Sequence, residues 1–591
     1  MSVLTVEETP SLGSFISEQT LMKPALDPTP PRSFETRSRV KNEEDQFDAW
    51  LQSARQVVVT AQARAASVPS PTNLIRLAQA QYSAGDNSEA IESAISAMTD
   101  AATLVDTGRC DVAEVSLVFG SGSHLLARLN RHADALSLLT RIGPPPVLEL
   151  SYASLLIEDD RLQEAFYTLT AAEDPRADAL RGYILARQGE AQRAVHFLRR
   201  ALRQDSTDAY TVMNLATAYW KLGSRSKAVS AALRATRLAP SRQDISVGYM
   251  DLLLDDNQPD AAMAEIKRLR RSGVVESARL LTVECQVTLA KGDPKKSIAL
   301  MKRARAAAAA EGETRLEAEL QANLRVFEAS AAGKDRRELW RIAQSCVTES
   351  PKNVAAVRQL AGYSTRCRDA DALQKAIGNA GTLRESERLE VELRLAYLKC
   401  DFGTVLELAQ AAISFDPMDA NACAQVVLLE GWHRGDWTAA ARKASRWVAR
   451  VPLSDYLINN AAYAMALGGM PQNALRILAS HPNKNDYVPV ATCGLAYLAL
   501  GDLDTGMRWY RKAGELAESA GEGDMRVLMS LHQAAGLRTL GIAETASEVF
   551  LAATSLPDTG LPDDWADQPS FVMIQRGCER EGWPWPPTVI S

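Results

Sequence analysis

"NLATAYWKLGSRSKAVSAALRATRLAP", Asn214 to Pro240, is the stretch whose spacing decides the fold. Small residues (Ala216, Gly223, Ala228, Ala232, Ala235) stand at regular steps between large ones (Leu215, Tyr219, Trp220), and Pro240 closes the run. Leu215, Ala216 and Tyr219 recur at the helical period, which predicts a first helix. Gly223 ends it, because a residue without Cβ turns into the left-handed conformation at little cost. A second helix carries Ala228, Ala232 and Ala235 and stops at Pro240, which cannot continue a helix. Small residues let two helices approach closely, and large ones fill the space between neighbouring pairs. The stretch therefore reads as a helix hairpin built to stack on copies of itself.

The copies are present. "LAQAQYSAGDNSEAIESAISA" places Leu77, Ala78, Gly85, Ala90 and Ala97 in the same order. "GYILARQGEAQRAVHFLRRAL" does so with Gly182, Gly189, Ala194 and Ala201. Further units carry Gly435, Ala440, Ala444 and Pro452, then Ala462, Gly469 and Ala474, then Gly494, Tyr497, Gly501 and Ala513. Successive units begin roughly 34 residues apart. In period and in its small-residue, Tyr and Pro positions the chain resembles the tetratricopeptide repeat family. The unit at 209–242 matches strongly, and those near 116, 243 and 354 are degenerate. The resemblance implies an all-α, right-handed superhelical solenoid of antiparallel helix pairs, with the first helix of each pair lining a concave groove.

The expected organisation has five parts. Residues 1–42 are polar, with Pro24, Pro28, Pro30 and Pro31; they cannot bury enough apolar area to offset the entropy of ordering and are expected to be disordered. Residues 43–70 form an N-terminal helix with Phe47, Trp50, Leu51, Val57 and Val58 on its apolar side. The repeats then run as one segment over 71–312 and a second over 313–556. They are divided where "KRARAAAAAEGETRLEAELQANL" lengthens the helices and shifts the phase. Residues 557–591 leave the pattern; a helix opening at Asp567, Pro569 and Ser570 is expected to cap the last repeat through Phe571, Val572 and Ile574, with Trp583 and Trp585 packing on it or binding a partner.

Composition bounds the function. Of 591 residues, 46% are hydrophobic and 24% charged, ordinary for a globular chain. The net charge of -7 argues against bulk nucleic-acid binding, which needs a basic face. The eight Cys form no C-x-x-C and read as buried reduced thiols. With no secretory leader and no long apolar run, a cytoplasmic location without membrane insertion is expected.

No catalytic set stands out. The six His form no H-E-x-x-H and no Cys/His metal spacing, and neither phosphate-binding nor dinucleotide-binding glycine motif occurs. "FGSGSHLL", Phe119–Leu126, resembles a nucleophile elbow only loosely and reads as part of a repeat. Neither cofactor nor metal is expected. The family resemblance implies a non-catalytic scaffold that holds another protein or peptide segment, and self-association stays compatible with it. The alternative is a regulatory or chaperone-like subunit of a bacterial secretion or surface-polysaccharide machine. An enzyme with an unfamiliar site is a third reading.

First-helix positions expected to face the groove are Tyr82, Tyr183, Arg187, Tyr210, Trp220, Lys221, Arg358, Arg366, Arg394, Tyr397, Trp432, His433, Tyr456, Asn459 and Tyr463. Aromatic residues beside Arg are common binding anchors, and the same residues serve equally for packing between repeats. Arg358, Arg366 and Arg394 suggest a basic strip for an acidic or aromatic-acidic segment, since guanidinium takes carboxylate bidentately. Asn214 and Asn460 stand where chaperone-tail-binding repeats carry Asn, but the accompanying Lys and Arg do not match.

Overall fold

Ala209–Lys221 and Arg225–Leu238 are helices in the computed structural model, joined at Gly223, whose φ is 72°. Asp208 caps the first helix by accepting the Tyr210 N–H, satisfying one of the donors that every helix start leaves unpaired. Ala216, Ala228, Ala232 and Ala235 are fully buried. The hairpin read from the sequence is thus the hairpin formed.

The structure describes residues 55–580 apart from 130, 144–147, 173, 275, 452–453, 482–485, 521–522 and 556–563. The expectations for 1–42, for Phe47, Trp50 and Leu51, and for Trp583 and Trp585 lie outside these residues. Among those described there is no strand, and from Pro71–Ala84 to Ala543–Ser555 the helices follow one another as fourteen helix–turn–helix units. The chain is an all-α solenoid of antiparallel pairs.

One spacing recurs. Ala78 and Ala90, Ala153 and Ala165, Ala216 and Ala228, and Ala462 and Ala474 are each twelve residues apart and fully buried. Gly494 and Gly506 hold the same relation. A Cβ on Gly494 would lie 2.9 Å from the Gly506 carbonyl oxygen and 2.7 Å from the Tyr510 ring. Cys285 and Ser297 fill the pair elsewhere and join by a 3.0 Å Sγ···Oγ contact. Twelve residues carry the chain up one helix, round the turn and back to the level where the helices are nearest. Only small side chains fit there.

The described residues form two compact units. One comprises 55–249 with 264–274, and its core includes Phe119, Leu126, Leu155 and Leu180. The other comprises 250–263 with 276–580, and its core includes Phe402, Val427, Tyr463, Leu495 and Leu531. They part within residues 243–276, upstream of the boundary expected at 312. The lengthened stretches form longer helices, 18 residues each in Pro294–Glu311 and Thr314–Ala331, and 17 each in Leu503–Ser519 and Gly523–Thr539.

Within each unit, first helices are tied to one another across one repeat length. The Lys221 ammonium donates to the Ala186 carbonyl at 3.2 Å, the Asn460 amide to the Ala424 carbonyl at 3.4 Å, and the Thr492 hydroxyl to Asn459 at 2.7 Å. In the helix at residues 55–67, Ala65 is the one buried residue among those described. Val57, expected on the apolar side, is exposed there.

Two predictions test the close contact. Gly494→Ala should destabilise by about 1–3 kcal/mol through overpacking against backbone, although alanine favours helix. Gly514→Ala, where the added Cβ meets nothing nearer than 3.7 Å, should stabilise by about 0.5–1 kcal/mol. Denaturant midpoints decide, and effects of the same sign would mean that the close approach is absent. Separately, Ala216→Leu should lower the thermal midpoint by an amount corresponding to about 1–3 kcal/mol, while Lys227→Leu, at an exposed position on the second helix, leaves it nearly unchanged.

Candidate protein-binding groove

Eight of the fifteen candidate residues are buried: Tyr183, Trp220, Lys221, Arg394, Tyr397, Trp432, Asn459 and Tyr463. As folded they are packing residues and are not open to a partner, which corrects the expectation of an open line of anchors. The reason is that stacking needs the same large side chains that would make good anchors. Asn459 accepts from Thr492 of the next first helix, and Lys221 spends its charge on a neighbouring carbonyl.

The others are half-buried or exposed, and each has a neighbour. Arg128 lies over the Tyr82 ring at 5.9 Å. Arg187 pairs with Asp160 at 2.9 Å. The Tyr210 hydroxyl donates to Asp244 at 3.0 Å, with Arg242 stacked 4.8 Å above the ring. Tyr456 accepts from Gln425 at 2.7 Å, and burial pushes its phenol up to about 12. His433 is exposed, and partial burial lowers its imidazole pKa.

The expected basic strip is already engaged. Arg358 pairs with Glu390 at 2.7 Å. Arg394 donates to the Ala361 and Gly362 carbonyls at 3.0 and 3.3 Å, and burial, with Arg336 beside it, pulls its guanidinium down to about 10. Arg366 pairs with Asp564 at 2.9 Å. That last partner comes from the segment after the final repeat.

Residues 564–580 are the feature that the sequence reading missed in place, though not in form. A short 3-10 turn, Trp565–Asp567, leads into a helix, Pro569–Arg580. The helix lies against Ala420–Trp432 and Gly523–Thr539. It does more than cap one end, because its contacts extend over the C-terminal ends of first helices across several repeats. Asp567 takes the Arg368 backbone N–H at 2.8 Å and its guanidinium at 3.2 Å. Arg576 donates to the Cys400 carbonyl at 2.7 Å, and Arg580 to the Trp432 and His433 carbonyls at 2.8 and 3.0 Å. Phe571, Met573, Ile574 and Cys578 are buried in the core of the unit. A Cβ on Gly577 would stand 2.7 Å from the Trp432 indole. Four candidate residues, Arg366, Trp432, His433 and Tyr463, therefore meet the chain's own C-terminal segment.

A tetratricopeptide repeat model matches residues 209–242, the hairpin of the opening stretch. The units before and after it share its helix order, and several of them share its twelve-residue pair of small residues. The hairpin is a tetratricopeptide repeat (TPR), and the described helices stack as a solenoid of TPR-type pairs. No curated protein matches it. Among solved structures it is similar to a tetratricopeptide repeat protein from Parabacteroides merdae ATCC 43184, at 16% identity over 42% of this chain and 98% of that one, TM-score 0.34. It is also similar to the APC/C hetero-tetramer Cut9–Hcn1, at 10% identity over 77% and 92%, TM-score 0.44. A third is the human IFIT1 dimer with m7Gppp-AAAA, at 14% identity over 79% and 94%, TM-score 0.31.

Beneath the C-terminal helix the TPR stack closes over an aromatic cluster. Trp432 stacks with Tyr463 at 6.2 Å between centroids and meets His532 edge-on at 5.1 Å. The His532 Nδ1 lies 3.2 Å from the Tyr463 hydroxyl. Among the described residues there is no group of three or more His, Cys, Asp and Glu able to hold a metal, and no helix long and apolar enough to cross a membrane. The loose elbow "FGSGSHLL" lies within the helix Val112–Arg128, where a Cβ on Gly122 would meet Met98 at 2.5 Å.

Burial pulls the His532 imidazole down to about 3. The unfolded chain therefore binds more protons than the folded one between roughly pH 6.5 and 3. This stability is fully present above pH 6.5 and is lost as the pH falls through that window, at up to about 1.4 kcal/mol per pH unit. Comparison of wild type with His532→Gln by denaturant melts at pH 7, 6 and 5 should show a stability difference that shifts toward the variant as pH falls. A constant difference would mean that His532 protonates as readily in the folded chain as in the unfolded one.

Proposed function

We propose that this TPR protein is a non-catalytic scaffold that holds a segment of another protein across the C-terminal ends of its first helices. The observation that carries the reading is the chain's own segment 564–580, seated there by the interactions expected of a bound peptide. Asp564 and Asp567 meet Arg366 and Arg368, and an amphipathic helix lays Phe571, Ile574 and Cys578 inward. Helix-in-groove binding reads apolar anchors at such i, i+3 and i+7 positions. The partner segment has the same chemistry: an acidic, aromatic turn followed by a short amphipathic helix. It competes with the chain's own copy.

The test uses the full-length protein with Phe571→Asp and Ile574→Asp, which release the internal segment, and a fluorescent peptide of residues 564–580. The variant should bind the peptide at least tenfold more tightly than wild type does, and more weakly as salt rises. Adding Arg366→Glu and Arg368→Glu should weaken binding again. A variant that keeps its helical circular dichroism and binds no peptide would remove the surface from consideration as a peptide acceptor.

A further inference from the structure

The turn after most first helices holds a left-handed residue, and Gly supplies it at 85, 189, 223, 292, 333, 435, 469, 501 and 541. Three turns use other residues: Asp160, Asn257 and Cys400, with φ of 58°, 56° and 55°. Asp and Asn tolerate this region through local hydrogen bonds, whereas Cys has no such compensation. A strained residue without a local reason points to a use for its side chain.

The Cys400 side chain has a partner. Its Sγ lies 3.6 Å from the Sγ of Cys367, which belongs to the 3-10 turn Cys367–Asp369 of the preceding repeat. The two residues are 33 apart, close to one repeat length, so stacking itself brings them together. Cys367 is half-exposed and Cys400 is buried beneath it. We propose that Cys367 and Cys400 form a dithiol that hydrogen peroxide oxidises to a disulfide linking two successive repeats.

Cys400 is the attacking sulfur. The Cys367 thiol donating to it, with the Arg576 guanidinium nearby, lowers its pKa, while Cys367 is correspondingly raised. Burial, and after it Asp567, oppose the lowering at Cys400, while Asp567 adds to the raising at Cys367. The Cys400 thiolate attacks one peroxide oxygen, the O–O bond breaks, and hydroxide leaves, giving a sulfenic acid. The Cys367 sulfur then attacks the Cys400 sulfur, the S–O bond breaks, and the thiol proton leaves with the departing hydroxyl as water. Each disulfide thus consumes one peroxide and yields two waters once hydroxide is protonated. Closing the sulfurs from 3.6 Å to the bonded distance of about 2.05 Å needs only a small side-chain movement.

The bond would form under the seat of the C-terminal segment. Cys367 stands between Arg366 and Arg368, which hold Asp564 and Asp567, and its Sγ is 3.8 Å from the Ala566 carbonyl oxygen. The Cys400 carbonyl is the acceptor for Arg576. Oxidation would fix two anchoring points of that seat relative to each other. This inference does not depend on the peptide-binding reading, since the dithiol lies within the repeats.

The experiment treats the reduced full-length protein with a few equivalents of hydrogen peroxide, blocks remaining thiols with N-ethylmaleimide, and maps all eight cysteines by mass spectrometry. The expected product is a Cys367–Cys400 cross-linked peptide, formed before the half-exposed Cys110 and Cys493 react. Cys367→Ser should leave Cys400 as a sulfenic acid that dimedone traps. Cys400→Gly should abolish the cross-link and raise the melting temperature, because Gly relieves the left-handed strain. Recovery of Cys367 and Cys400 as free thiols after Cys110 or Cys493 has been oxidised would overturn the proposal. So would irreversible oxidation of either cysteine without the cross-link.

Discussion

Everything in this molecule depends on two helices of a pair coming close enough for one backbone nearly to touch the other. At Gly494 the Gly506 carbonyl is so near that a single methyl group does not fit. Elsewhere Ala216 faces the same demand with Ala228, and Ala462 with Ala474. Such an approach gains dense packing contacts, each small and together large. It also fixes the angle of the pair, and with that the level at which the next pair stacks. The twelve-residue interval is the sequence's trace of this geometry, and it survives where the residue types change, as with Cys285 and Ser297.

The second consequence is a ladder at one repeat length. Because each pair presents the same surfaces, residues 31 to 36 apart meet repeatedly: Gln425 with Tyr456, Arg358 with Glu390, Lys221 with Ala186, and Gln359 with Asn323. The fold was legible because it rests on this repetition. The occupancy of individual side chains was less so. Arg358 and Arg394 both lie on first helices, in successive repeats. Yet one is neutralised by a carboxylate and the other is buried on two carbonyls. The difference lies in what the adjacent repeat offers at that height, which a repeat pattern averages away. The ladder could have exposed the Cys367–Cys400 pair from spacing alone, since 33 residues separate them. Searching for motifs within one stretch of chain passed over a pair that only stacking creates.

The C-terminal segment illustrates the opposite limit. Its helix was visible in Pro569, Phe571 and Ile574, and so was its need for an apolar surface. Its place was not visible, because the contacts of Arg368 with Asp567 and of Arg576 with Cys400 span 199 and 176 residues. Local periodicity carries no information over that distance. Asp564 and Asp567 beside Trp565 did carry a chemical signal: the sequence held an acidic, aromatic segment and a basic stretch that could receive it. The two were read as belonging to different molecules.

The seating of residues 564–580 rests on more than their acidic side chains. Stacked first helices run parallel to one another, so their C-terminal ends form a row along one edge of the stack. Each end carries unpaired carbonyls and the negative pole of the helix dipole. Cations satisfy both, and Arg576 and Arg580 do so for successive first helices through the carbonyls of Cys400 and of Trp432 and His433. Four residues advance a helix by about 6 Å, and packed helix axes stand about 8–10 Å apart. Long guanidinium side chains span the difference. Residues 564–580 therefore carry carboxylates where Arg366 and Arg368 project, and then arginines at i and i+4 where the helix ends are bare. Charge of both signs, in that order along the chain, is what holds residues 564–580 against the row of helix ends and the basic turn beside it.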